Sequence, residues 1–141
     1  MKAVFPIAWL CVGLVAAQAS DFSGPARAQV ERVIDGDTVK MRVAIWLDQE
    51  IIVSVRLAGV DAPELFRPKC SAERMLARKA KVFVEDFLQG GEADLSEIKQ
   101  DKYAGRVVAR VEAQGADLGQ AMVKAGLGVT GAKGNWCETS G

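Results

Sequence analysis

Two short acidic turns and two arginines carry the chemistry of this chain. Asp35-Gly36-Asp37-Thr38 is followed about one hairpin later by Arg56-Leu57-Ala58-Gly59-Val60-Asp61-Ala62-Pro63-Glu64, and Arg106 ends the later run Asp101-Lys102-Tyr103-Ala104-Gly105-Arg106. Carboxylate oxygens hold hard divalent cations. Guanidinium forks match phosphate oxygens in shape and charge. Metal-assisted phosphodiester chemistry is the first reaction class that these residue types raise. Asp37 and Asp61 are the leading metal-ligand candidates, each at or beside a strand end where a turn holds it. Glu64, the backbone carbonyl of Ala62 and water supply the other oxygens nearby. An all-oxygen shell selects calcium or magnesium over zinc. Glu64 follows Pro63, whose ring fixes φ, and a held carboxylate beside a metal can orient and deprotonate water. Arg56 and Arg106 can neutralise charge that builds on a pentacoordinate phosphorus. Lys102 and Tyr103 sit on the turn before Arg106, where one can meet a phosphate and the other can stack on a base.

Each of these residues also has a plain structural explanation. An Asp-Gly turn needs only an aspartate that caps it. A surface arginine in an ion pair contributes about 0–1 kcal/mol, and an exposed hairpin tip accounts equally well for Lys102 and Tyr103. The joint pattern favours chemistry, because Arg56 stands among apolar strand neighbours and close in sequence to three carboxylates. Other reaction classes lack their residues. The chain contains no histidine, which removes His-based zinc sites and histidine bases together. It has no Gly-x-Ser-x-Gly, no phosphate-binding glycine loop and no dinucleotide glycine fingerprint after a strand. Cys70 and Cys137 have no histidine partner for thiol catalysis. A glycosidase built on Asp61 and Glu64 leaves both arginines without a task.

The elements that must position these residues can be read from hydrophobic periodicity. Val30, Val33 and Ile34 predict a strand ending at the Asp35-Gly36 turn. Val39, Met41, Val43 and Ile45 alternate with more polar residues and predict a half-buried strand. Ile51, Val53, Val55 and Leu57 predict a third, with Arg56 on the opposite face. Ser71 is the expected cap of a helix carrying Leu76, Ala80, Phe83, Val84 and Phe87 at helical spacing, ended by Gly90-Gly91. Strands are predicted over 93–98 and 107–111. Asp117 is expected to cap a second helix with Leu118, Ala121, Met122 and Ala125 on its buried side, stopped by Gly126. Three strands, a helix, two strands and a helix match a mainly β fold with α elements. This is the five-stranded Greek-key OB barrel, with one helix between strands 3 and 4 and a second after strand 5. That fold alone does not select a reaction.

The chain has 141 residues, half of them hydrophobic and a quarter charged, which is the mix of one globular domain. Met1-Lys2 precedes a short apolar run that ends in Ala17-Gln18-Ala19. This reads as a signal peptide over residues 1–19, too short for a comfortable membrane span. The remaining divisions are a flexible lead over 20–28, the folded domain over 29–137 and a tail over 138–141. Cleavage removes Lys2 alone, so 18 basic residues become 17 against 18 acidic, a net charge of −1. No global positive field draws in nucleic acid; a local basic cluster or a bound cation must meet a polyanion. Of three cysteines, Cys70 and Cys137 lie beyond the signal segment. An exported chain with one cysteine pair suggests a disulfide, with two free thiols as the alternative.

The quoted segments resemble the three signature segments of the staphylococcal nuclease family, in order and with suitable spacing over about residues 29–137. The resemblance implies a calcium-dependent phosphodiesterase that cleaves DNA and RNA with little sequence preference and leaves 3′-phosphorylated products. By matching positions, Asp37, Asp61 and the carbonyl of Ala62 would hold calcium. Glu64 would be the general base, and Arg56 and Arg106 would bind the reacting phosphate. A monomer exported to the periplasm or medium, without a stable membrane anchor or protein partner, is the expected form. The chain departs from the family pattern in three places. Ala62 stands where a threonine is expected, Ala104 lengthens the Lys-Tyr-Gly-Arg turn by one residue, and 126–131 lacks a stacking tyrosine. The long C-terminal helix is also expected to be absent. An OB-fold module that binds nucleic acid with weak or no catalysis is the alternative function.

Overall fold

The computed structural model describes residues 21–138. The signal segment 1–19 and most of the expected tail lie outside the described residues. In chain order the elements are β1 (Ala26–Asp35), β2 (Thr38–Trp46), β3 (Gln49–Leu57), β4 (Val60–Asp61), α1 (Ser71–Phe87), β5 (Glu92–Gln100), β6 (Arg106–Ala113), β7 (Ala116–Asp117), α2 (Leu118–Lys124) and β8 (Val129–Thr130). Antiparallel pairing runs β3-β2-β1-β5-β6, and a parallel contact between β3 and β6 closes the circle. In that contact Ser54 to Leu57 lie beside Arg106 to Ala109. The result is a closed five-stranded barrel with two helices, as expected for an OB fold. The two-residue strands β4 and β8 pair with each other, and β7 pairs with the end of β6.

Alternation explains the barrel interior. Val39, Met41 and Val43 of β2 and Val53, Val55 and Leu57 of β3 are buried, with Val39, Met41 and Val55 fully so. Ile45 and Ile51 continue the same period but are about half exposed. The β2–β3 hairpin runs past the barrel there, and its ladder breaks register between Ala44 and Trp46. The periodicity of a strand reports which face a residue is on, not whether anything covers that face.

Several details differ from the sequence expectation, among them the end of α1, which stops at Phe87 with Leu88 as its cap, before Gly90-Gly91. Strand β1 begins at Ala26, inside the segment expected to be a flexible lead. Ala28 is buried and pairs with Val43 on one side and Ala93 on the other, so two neighbouring strands recruit a stretch of low intrinsic strand propensity. Helix α1 is capped by Cys70 rather than Ser71; the Cys70 sulfur accepts from the Glu73 N–H. Ala125 is exposed, and Gly119 takes the buried place in α2 because Val60 packs where its side chain would be. Asp117 caps α2 as expected, accepting from the Gln120 N–H at 2.8 Å.

Helix α1 lies against the barrel through small residues. Ala77 and Ala80 are fully buried. This brings the helix onto the β1–β2 turn so closely that a side chain at Gly36 would meet Ala80 at 2.8 Å and Ala62 at 3.1 Å. The two acidic turns of the sequence therefore abut, with Gly36 and Ala62 as the contact.

Candidate active site

The β1–β2 hairpin presents the first carboxylates. Asp35 pairs with Thr38 across a two-residue turn. The Asp37 N–H donates to Asp35 Oδ1 at 3.1 Å, an aspartate turn that orients both side chains. The Thr38 hydroxyl donates to Asp37 Oδ1 at 2.9 Å. Arg56 stands opposite Thr38 in the β2–β3 ladder. Its guanidinium reaches Asp37 Oδ2 at 2.8 Å and Asp61 Oδ1 at 3.9 Å. One cation thus sits between two carboxylates that are 24 residues apart in sequence. Burial, reinforced by the Asp35 carboxylate, pushes the Asp37 carboxyl up to about 6 against the opposing pull of Arg56. Loss of solvent at Asp37, more than its acidic neighbour, outweighs the relief that Arg56 gives.

Asp61 belongs to β4, which β8 holds by pairing Asp61 with Val129. Its Oδ2 accepts from the Gly134 N–H at 2.9 Å. Gly134 is fixed in turn by Trp136, whose indole leaves no room for a side chain at that position. One residue further, Cys137 is bonded to Cys70. The expected disulfide therefore exists in the structure and ties the C-terminal segment to the start of α1. Cys70, Glu73 and Cys137 form a compact group of ligand-type atoms, but the two sulfurs are bonded to each other and the Glu73 carboxylate is filled by backbone N–H groups. That group is an anchor rather than a metal centre.

The second arginine arrives from the neighbouring strand. Arg106 pairs with Ser54, and Val108 pairs with Arg56; the two-residue period puts Arg56 and Arg106 on the same face. Arg106 hydrogen-bonds Asp101 through Nε, and its guanidinium lies 4.6 Å from the Tyr103 ring centre. Asp101 is held below the usual carboxylate range chiefly by that hydrogen bond, with Arg56 adding to the effect. Both arginines thus act on one face of the barrel. Lys102 and Tyr103 lie on the exposed turn, with Lys102 Nζ 5.0 Å from the same ring. Tyr103 is 54% exposed, so part of its surface is open to a ligand while two cations border it. Gly105 turns with φ of 74°, and Arg106 folds back toward Asp101.

Glu64 stands three residues beyond Asp61, behind the fully buried Pro63. Its carboxylate is exposed and makes no ion pair among the described residues, while its N–H donates to Glu73 Oε1 at 3.1 Å. The structure thus brings Asp37, Asp61 and Arg56 into contact, places Ala62 against their turn, and sets Arg106 in the adjacent strand. Asp35, Asp101, Glu73 and Gly134 are the partners that the sequence reading did not single out. Glu73 left no signal either: it stands two residues after the expected cap Ser71, not the three of a capping box, and only the structure moves the cap to Cys70.

A cavity of about 300 Å³ opens beside this centre, lined by Arg56, Val60, Asp61, Val108 and Lys133 among others. A larger one of about 650 Å³ lies between β3, β6 and α2. It contains none of the candidate residues, and its Arg110 is committed to Asp117 at 2.8 Å. Asp37 and Asp61 approach each other only through Arg56, and among the described residues their carboxylates do not close with a third into a compact ligand group; what they offer is hard oxygen. That chemistry fits calcium or magnesium and offers no soft ligand for zinc.

The fold is thus a five-stranded OB barrel that carries Asp37, Arg56 and Asp61 together at one edge, with Arg106 on the same face. The model of the family described as staphylococcal nuclease homologue matches residues 54–138, or 85 of the 141. The chain belongs to that family, whose members are generally nuclease hydrolases. Arg56, Asp61, Glu64 and Arg106 fall within the matched residues and Asp37 before them. No curated protein matches the chain. Among the described residues no helix is long and apolar enough to cross a membrane.

Proposed function

We propose that this protein is an exported, calcium-dependent phosphodiesterase that hydrolyses DNA and RNA with little sequence preference, leaving 3′-phosphorylated products. The mature chain begins at Ser20 after a cleaved signal over 1–19, carries the barrel domain whose first strand starts at Ala26, and acts as a monomer. Asp37, Asp61 and the Ala62 carbonyl hold the ion. The observation that carries this reading is the Arg56 guanidinium set between Asp37 and Asp61. A structural ion pair needs one carboxylate, whereas an ion site beside a phosphate needs this surplus.

Bound calcium would polarise the scissile phosphate and offset its charge. The chain's own residues do the rest. Glu64 takes a proton from the attacking water; its carboxylate is exposed and makes no ion pair among the described residues. Arg56 and Arg106 approach the phosphoryl oxygens from adjacent strands and stabilise the charge that grows as phosphorus becomes five-coordinate. For this, Arg106 would exchange Asp101 for phosphate, and Asp37, which pairs with Arg56, would be among the residues that hold the ion. Lys102 and Tyr103 meet the neighbouring phosphate and base. The test is digestion of single-stranded DNA and RNA by purified protein with metals added singly. Calcium should support cleavage and chelator should stop it; full digestion in excess chelator overturns the reading.

A further inference from the structure

We infer that Glu73 is a positioning residue for Glu64, holding the loop that carries the proposed base. The inference rests on the function proposed above and deepens it. Glu73 is only 3% exposed on a helix whose other buried residues are Ala77, Ala80 and Val84. A buried carboxylate is costly unless its oxygens are filled. Here they are filled by the two ends of one loop. The Glu64 N–H donates to Oε1 at 3.1 Å and the Lys69 N–H to Oε2 at 2.6 Å. These bonds, that from Lys69 foremost, hold the Glu73 carboxyl below its ordinary range.

Glu73 departs from what a helix cap requires. In a capping box this side chain reaches back to the N–H of the cap residue itself, which is Cys70. Glu73 instead accepts from residues one and six positions before the cap. Its bonds are spent on the loop rather than on the helix end. The loop has little else to hold it: Glu64, Phe66, Arg67 and Lys69 are all exposed. Buried Pro63 fixes the entry, Glu73 clamps residues 64 and 69, and the Cys70–Cys137 disulfide fixes the exit. The Glu64 carboxylate thus projects into solvent from a backbone fastened directly beneath it. This is the support that a general base on a loop needs, because a shift of about 1 Å at a reacting group can cost about a hundredfold in rate.

The test is Glu73→Gln in the full chain. The amide keeps one acceptor oxygen and turns its other end into a donor facing a backbone N–H. Turnover should fall about tenfold to a hundredfold. KM and calcium affinity by calorimetry should each stay within about twofold, because Asp37, Asp61 and the arginines are held by other elements. Amide exchange at Glu64 and Lys69 should quicken while barrel amides keep their protection. In the Glu64→Gln background, Glu73→Gln should cost almost nothing further. Multiplicative losses in the double variant, unchanged turnover in Glu73→Gln, or unchanged exchange at residues 64 and 69 would each overturn the inference. Full activity of Glu64→Gln by itself would instead remove the base assignment on which it rests. If Glu73→Gln does not fold, Glu73→Asp keeps both oxygens on a shorter stem. The same cycle should then show a smaller, equally non-multiplicative loss.

Discussion

The two halves of the candidate site are built differently. Asp35, Asp37, Thr38 and Arg56 sit on strand ends of a closed barrel, where ladder hydrogen bonds fix the backbone and one turn orients the side chains. Asp61 and Glu64 sit on an irregular segment with two residues of strand. There, single side-chain bonds and one disulfide take the place of a ladder: Gly134 to Asp61, Glu73 to Glu64, and Cys70 to Cys137. The barrel half carries crowded charge, and the loop half carries the free carboxylate. Rigid elements tolerate electrostatic crowding because their geometry does not depend on relieving it, whereas a loop holds a reactive group only while its few tethers last.

That contrast can be broken by experiment. Glu64→Gln should lower turnover about 10²–10⁴-fold, with thermal unfolding scarcely moved because the side chain is exposed. An equally large loss of melting temperature would show that Glu64 is part of the framework. Arg56→Ala should lower turnover about 10²–10³-fold, the range for losing one stabiliser of transition-state charge. Calcium binding should tighten in the same variant, because the cation competing for Asp37 and Asp61 is gone. Weaker binding by calorimetry would mean that Arg56 organises the carboxylates rather than competing at them.

The disulfide tests the loop half. Replacing Cys70 and Cys137 together by Ser should cost about 2–5 kcal/mol of stability in denaturant titrations. It should also weaken calcium binding through Asp61, while the amides of β1 and β2 near Asp37 stay protected. Equal loss of protection in both halves would erase the distinction drawn here. The smallest effect belongs to pH. Asp37 is raised to about 6 from an ordinary 3.8, so the folded calcium-free protein binds this proton more tightly than the unfolded chain does. Its contribution to stability is full below the ordinary value and is lost as pH rises through about 6. Calcium competes with the same proton. Its affinity should fall by up to about tenfold per unit as pH drops below 6, and calorimetry in buffers of different ionisation heat should detect proton release on binding. A flat affinity between pH 5 and 7 would place the ion away from Asp37.

Much of the barrel was legible because alternation is local. Val39, Met41, Val43, Val53 and Val55 show their faces within their own strands, and Asp117 and Gly126 mark the ends of α2 by standard cap chemistry. Reading failed where a neighbour made the decision. Ala26 to Ala28 carry no strand signal, yet β5 pairs with all three and β2 with Ala28. Ile45 and Ile51 carry a core signal but lie beyond the core. At the site, Asp37, Asp61 and Arg56 were found because their residue types are informative in combination. Asp101 and Gly134 were missed because an aspartate beside a lysine, or a glycine in a Gly-rich end, looks the same whether or not it holds something.

The sequence by itself determined which groups are available: carboxylates, arginines and no histidine, on segments whose periods specify strands and helices. It also determined that one cysteine pair was at hand beyond the apolar N-terminal run. Only the tertiary structure decided which of those groups meet. Closure of β3 on β6 put the arginines on one face, the close approach of α1 set Gly36 against Ala62, and burial turned Glu73 toward a loop six residues before its cap. The physical reason is range. Backbone preference and hydrophobic period act over a few residues, while the field at a carboxylate is set by whatever the fold brings within a few ångströms.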